Sequence, residues 1–199
     1  MSEIVGFINL HGESAEQEIL ERMTNALWPR TPDGATLFRR GPLGMGHALL
    51  RLSDGGSRPP NLSPDGRTWI AADCHLYGRA ELEDALNRTG RRPPAGASDE
   101  DLVLEAYRAF GDGFAARVIG DFAVAIWDES RQRLLLARDH LGVRPLFFAR
   151  TANAFVFGTD LEGLLRHPAL GRDLDEQFLA DFLVLGIASE AATTVYRQI

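Results

Sequence analysis

The sequence contains no lysine. All 21 basic residues are arginine, against 28 Asp and Glu, and the net charge is −7. Without lysine there is neither a lysine nucleophile nor a Schiff base. An acidic chain with no basic cluster lacks the positive face that phosphate neutralisation needs, so no nucleic-acid partner is expected. There is a single cysteine, Cys74, which excludes an internal disulfide and a zinc site built on thiolates. The histidines His11, His47, His140 and His167 show no ligand spacing, and no metal is expected. No run approaches the roughly 20 apolar residues of a membrane span. The opening MSEIVGFINLHG lacks a basic stretch followed by a long apolar one, so no secretory signal is read and a cytoplasmic protein is expected.

What is present fits a globular protein: 199 residues, 45% hydrophobic and 25% charged, enough for one well-packed domain with a small appendage. Ile4 to Leu10 is a short apolar run that reads as a buried strand. Ser14 is placed to cap a helix through about Leu27, with Ile19, Leu20, Met23 and Leu27 at helical spacing. Pro29 to Gly34 is turn-rich, Met45 to Leu52 reads as a strand, and residues 53–66 read as a loop. A strand over Thr68 to Ala72 and a helix over Arg79 to Leu86 follow. Ser98 and Asp101 form a weaker version of a capping box. Asp121 to Trp127 (DFAVAIW) is apolar on both faces and pairs through the turn DESRQR with Leu134 to Ala137, so its strand is covered on both sides. A second hairpin spans 145–149 and 154–158, and helices follow at about 160–166 and 174–185. These elements predict an α+β domain over 1–170, with a helix and linker over 171–199. The segment TTVYRQI reads as a strand whose edge would be left unpaired, which predicts a continuation past Ile199.

Seven segments, in order, resemble the N-terminal domain of asparagine synthetases and related class II glutamine amidotransferases. MSEIVGFINLHG resembles M-C-G-I-x-G-I-x-N; PRTPDG resembles H-R-G-P-D-G; MGHALL resembles L-G-H-x-R-L; ADCHLYGRAEL resembles F-N-G-E-I-Y-N-x-x-E-L. SDEDLVLEAYRAFG, ARDHLGVRPLFF and FVFGTDLEGLLRHP match three further motifs of that family. The resemblance covers almost the whole chain. It implies a four-layer αββα N-terminal-nucleophile sandwich of two antiparallel sheets.

It also implies where a catalytic site should stand, and there the residues depart. The family's nucleophile is a cysteine after the initiator Met, with its α-amine as base; here that position is Ser2, a far weaker nucleophile. Glu3 replaces a glycine, adding bulk and negative charge. The Asn and Gly that hold the oxyanion are replaced by Asp73 and Cys74, and an ionised Asp73 repels a developing oxyanion. The next Glu is His75. The carboxylate-binding Arg is Leu49, with Arg51 two residues on as a partial substitute. Asp99 matches the residue that binds the substrate amine, and it equally suits the start of a helix beside cap Ser98. Arg30 is kept, while its neighbouring His has become Pro29. Cys74 and His75, adjacent on a strand, point to opposite faces and do not pair. Arg138 and Asp139 read as a structural ion pair at a strand end.

The resemblance thus implies a domain with no confident catalytic residue and a residual pocket of Arg51, His75 and Asp99. It is close in character to β-lactam synthetases and lasso-peptide macrolactam synthetases. In those classes a C-terminal half uses ATP and Mg²⁺ to activate a carboxylate, and an amine of the substrate closes the amide. The partner expected is therefore the protein's own C-terminal synthetase domain, with a precursor peptide and homo-dimerisation as further expectations. No cofactor is expected in these 199 residues, which lack an S-G-G-x-D-S loop. Two other readings stay open: an amidohydrolase using Ser2, and a stand-alone module binding a small amine or peptide.

Overall fold

In the computed structural model, which describes residues 2–28, 30–50, 61–187, 190 and 192–199, two antiparallel sheets face each other between helices. The first has the order β2-β3-β1-β9-β8, from β1 (Glu3–Asn9), β2 (Ala35–Arg40), β3 (Leu43–Ala48), β8 (Phe147–Arg150) and β9 (Ala154–Gly158). The second has the order β4-β5-β6-β7, from β4 (Asn61–Leu62), β5 (Thr68–Leu76), β6 (Gly120–Asp128) and β7 (Arg133–Arg138).

Alternation along the strands sorts side chains into three layers of core. Ile4, Met45 and Phe157 of the first sheet meet Ala71, Ala125 and Trp127 of the second. Phe122, Val124 and Ile126 point the other way, onto α2 (Arg79–Arg88) and α3 (Asp99–Phe110). That is why DFAVAIW is apolar on both faces. On the outer face of the first sheet, α1 (Gln17–Asn25) and α4 (Leu161–Leu164) lay Leu20, Met23 and Leu164 against Val5, Phe7 and Val156. Gly46 lets α1 approach this closely: a Cβ there would fall on the Thr24 hydroxyl, which already donates to Leu20 O at 2.8 Å. The result is the αββα sandwich that the resemblance implied.

Some elements differ from the sequence reading. The strand β2 was not legible, because it is a sheet edge with one buried residue, Phe38, among polar or exposed neighbours. Its pairing with β3 over Ala35↔Ala48 to Arg40↔Leu43 fixes it instead. Helix α1 starts at Gln17 after Glu16, without a side-chain cap, rather than at Ser14. The segment TTVYRQI makes one isolated bridge, Leu174↔Tyr196, in place of a strand. The capping box at Ser98 is complete: Asp101 N–H donates to Ser98 Oγ (3.2 Å) and Ser98 N–H to Asp101 Oδ2 (3.0 Å).

Candidate functional site

Ser2 leads into β1, and the alternation of that strand puts it on the face of Ile4, between the sheets. The Leu50 N–H reaches its Oγ at 3.5 Å, the outer limit of a hydrogen bond. Glu3 takes the opposite face. Its carboxylate receives Arg30 Nε at 2.9 Å, and Arg30 Nη2 lies 2.6 Å from Asp160 Oδ2. Strand pleating turns the bulk of the Glu3 side chain away from Ser2 and Arg30 pairs with its carboxylate, while its negative charge still acts on Asp73.

Asp73 lies on β5 on the same side as Ala71, facing the other sheet, and is 8% exposed. Arg144 Nη1 stands 3.3 Å from its Oδ2, and both side chains are nearly buried. The Ser2 backbone N–H also favours the charged form of this carboxylate. Burial pushes the Asp73 carboxyl above the usual range; Arg144 and the Ser2 N–H pull against that, and Glu3 adds a smaller push upward.

The loop that delivers Arg144 is organised by Asp139. Its Oδ1 accepts the Val143 N–H at 2.9 Å and its Oδ2 the Arg144 N–H at 3.0 Å. Burial works against ionisation of Asp139. The backbone N–H groups of Arg144, Val143, Phe122 and Gly142 outweigh it and hold the carboxyl below its ordinary value. Asp139 is therefore a loop organiser through backbone amides, not the partner of Arg138 that the sequence reading expected.

Cys74 points to the helix side of β5 and packs with Ile70, Ala72 and Leu76. Burial first, then the nearby carboxylates of Glu100, Asp99 and Asp73, push its thiol well above the ordinary range, so no thiolate nucleophile forms there. His75 is on the opposite face and exposed, with its ring edge-on to Tyr77 and its Nδ1 3.9 Å from Asp99 Oδ2.

Asp99 is the first residue of α3. Its Oδ2 accepts the Leu76 N–H at 2.8 Å, and its Oδ1 is paired with Arg79 Nη1, while Arg79 Nη2 donates to Ala97 O at 2.7 Å. It thus ties the end of β5 to the starts of α2 and α3. Asp99→Ala is expected to lower unfolding stability by about 1–3 kcal/mol, because a backbone N–H and a guanidinium lose their acceptor. Urea unfolding of wild type and variant reads this; an unchanged midpoint would leave Asp99 free for a ligand role alone.

The structure brings Ser2 and Asp73 together, and His75 beside Asp99. Leu49 is buried, and Arg51 lies outside the described residues. Sequence reasoning missed Arg144 and Arg79 as site residues. A signal for the first was available: a carboxylate on a strand that packs against another sheet demands a cation, and G-V-R-P-L supplies one. At the position where the resemblance places an oxyanion donor, the arrangement sets the carboxylate of Asp73, paired with Arg144.

The profile of the glutamine amidotransferase domain family matches residues 1–199. Asparagine synthetase [glutamine-hydrolyzing] 3 of Bacillus subtilis is 29% identical over 203 residues, which cover 100% of this chain and 33% of the relative. Asparagine synthetase [glutamine-hydrolyzing] 2 of the same organism is 27% identical over 194 residues, covering 95% of this chain and 26% of its own length. The chain thus spans a third or less of these relatives. Among solved structures, glutamine phosphoribosylpyrophosphate amidotransferase of B. subtilis, complexed with ADP and GMP, superposes with a TM-score of 0.66 at 17% identity. The match covers 84% of this chain and 44% of that one, and it carries the fold.

Proposed function

The chain belongs to the glutamine amidotransferase domain family, as an asparagine-synthetase-like member, and on that premise we propose that its own glutaminase activity has been lost. In this reading it serves as the non-catalytic partner domain of an ATP-dependent ligase, forming amide or isopeptide bonds in the cytoplasm. The observation that carries the reading is the Asp73–Arg144 pair beside Ser2. At the position where the resemblance places an oxyanion donor stands a carboxylate, paired with Arg144 from within the chain. A tetrahedral intermediate built there would set a second negative charge against Asp73. Ser2 lacks the acidity of a thiol, so attack would depend on a base.

ATP and Mg²⁺ would be held by polypeptide outside these 199 residues. There they would activate a carboxylate for attack by an amine of the substrate itself, as in lasso-peptide macrolactam synthetases, with a precursor peptide as substrate. No ammonia from glutamine is then required, which leaves the glutaminase residues free to diverge while the scaffold persists.

Purified protein incubated with glutamine is expected to release ammonia at the background rate, and Ser2→Cys alone is expected to leave that rate unchanged. Ammonia release by wild type, from molecules whose intact mass shows Met1 removed, would instead support an amidohydrolase with Ser2 as nucleophile. A gain of activity in Ser2→Cys would show that Asp73, Cys74 and Leu49 do not block the site.

A further inference from the structure

The turn that joins α2 to α3 reads TGRRPPAG, and the glutaminase reading makes no use of it. Gly90 holds a positive φ of 80°, which carries the chain out of α2, and the Arg91 N–H closes back on Leu86 O at 3.2 Å. Two prolines follow at once, and each fixes its own φ. A pair of adjacent arginines is thereby mounted on a stiff support.

This turn borders a cleft of about 420 Å³ whose other walls are β4 and α3. Leu62, Pro94 and Leu104 give it an apolar side, and three arginines line it: Arg91 and Arg92 from the turn, Arg108 from α3. None of these residues belongs to the Ser2–Asp73 site. Two carboxylates share the cleft. Glu105 lies between Arg91 Nη1 at 3.3 Å and Arg108 Nη1 at 2.6 Å, and the Glu105 and Arg108 side chains are mostly buried. Asp101 turns its Oδ2 to the N–H and hydroxyl of Ser98, in the helix cap. Arg108 Nη2 also reaches Asp65 at 3.3 Å, whereas Arg92 forms no ion pair among the described residues.

We propose that this cleft binds a small oxyanion carrying at least two negative charges, with Arg91 and Arg92 as its principal ligands. Glu105 already displays the chemistry, as a carboxylate gripped by two guanidiniums. The lining sets three cations against two anions, one of which is engaged by the helix cap, so a positive excess stands inside a protein of net charge −7. A guanidinium offers forked donors that match the oxygens of phosphate and carboxylate groups. The apolar side lowers the local dielectric and strengthens the attraction. The stiff turn holds both arginines near their bound positions, which reduces the ordering cost of binding. Such binding is independent of whether glutamine is hydrolysed.

Titration of isotope-labelled protein with sodium pyrophosphate at low ionic strength, followed by amide chemical shifts, tests the site. Saturable shifts are expected at residues 90–92 and 104–108. Arg92→Ala should weaken pyrophosphate binding at least about tenfold, through the loss of charge-assisted hydrogen bonds. Arg150→Ala removes the same charge from an exposed position on β8 and should leave the affinity unchanged. Because both arginines are exposed, both variants should keep the wild-type unfolding midpoint. Citrate as a competitor separates the sources of charge. Displacement of pyrophosphate assigns the cleft to polyanions in general; binding that citrate leaves untouched assigns it to phosphoryl groups. Failure to saturate, shifts confined to other parts of the protein, or equal weakening by Arg92→Ala and Arg150→Ala overturns the proposal.

Discussion

Arg144→Ala is expected to destabilise the protein by about 3–5 kcal/mol at pH 7, because it strands a carboxylate between the two sheets. Asp73 is 8% exposed, and Arg144 is the largest of the groups that favour its charged form. Removing both charges should cost far less: Asp73→Asn combined with Arg144→Met is expected to lie within about 1.5 kcal/mol of wild type, since an apolar stem refills the volume of the arginine. Urea unfolding of the two single variants and the double variant forms a thermodynamic cycle for the pair. The pH dependence has a definite sign. A carboxyl whose folded value is raised binds a proton more readily in the folded state, so its penalty is relieved as pH falls through that value. Without Arg144 the Asp73 carboxyl rises further, and the deficit of Arg144→Ala should be smaller at pH 5 than at pH 7. An Arg144→Ala midpoint equal to wild type would mean that the pair is not formed, and the case against oxyanion binding would lose its main support.

Acidification acts in the opposite direction through His47. This imidazole is 1% exposed on β3, opposite Ile4, and neither ring nitrogen has a hydrogen-bond partner among the described residues. Burial holds its pKa down to about 3. At pH 7 the ring is neutral in both folded and unfolded states. As pH falls below about 6.5, the unfolded chain takes up a proton that the folded one refuses until about pH 3. Stability should therefore drop by up to about 1.4 kcal/mol per pH unit across that window from this residue, in total on the order of 4 kcal/mol. His167, with its pKa lowered to about 4 by burial and then by Arg22, adds a loss of the same sign. Denaturant midpoints taken between pH 7 and pH 4 should fall steeply in wild type and by about one proton less in His47→Leu. Parallel slopes in the two proteins would show that His47 is hydrated or protonated in the folded state.

Much of the fold could be read without coordinates because it depends on local pattern. The alternation in β6, the hairpin turn after Trp127 and the capping box at Ser98 are all set by residues close in the chain. The order of seven motifs carried the family, and the identities at Ser2, Asp73 and Cys74 carried the proposal that the glutaminase activity is lost. Where a signal was not local, it failed. The edge strand β2 has too few apolar residues to announce itself and exists by its hydrogen bonds to β3.

The sequence by itself determined which side chains stand at the positions of the glutaminase site, since identity at a motif position needs no coordinates. Only the tertiary structure decided what those side chains face. It set Asp73 against Arg144 from a distant loop, closed Asp99 with Arg79 from the start of another helix, and turned Glu3 away from Ser2 toward Arg30, which also pairs with Asp160. The physical reason is the same in each case. A charge removed from water must find a partner, and which partner comes within reach is settled by the pleat of a strand and the packing of separate elements.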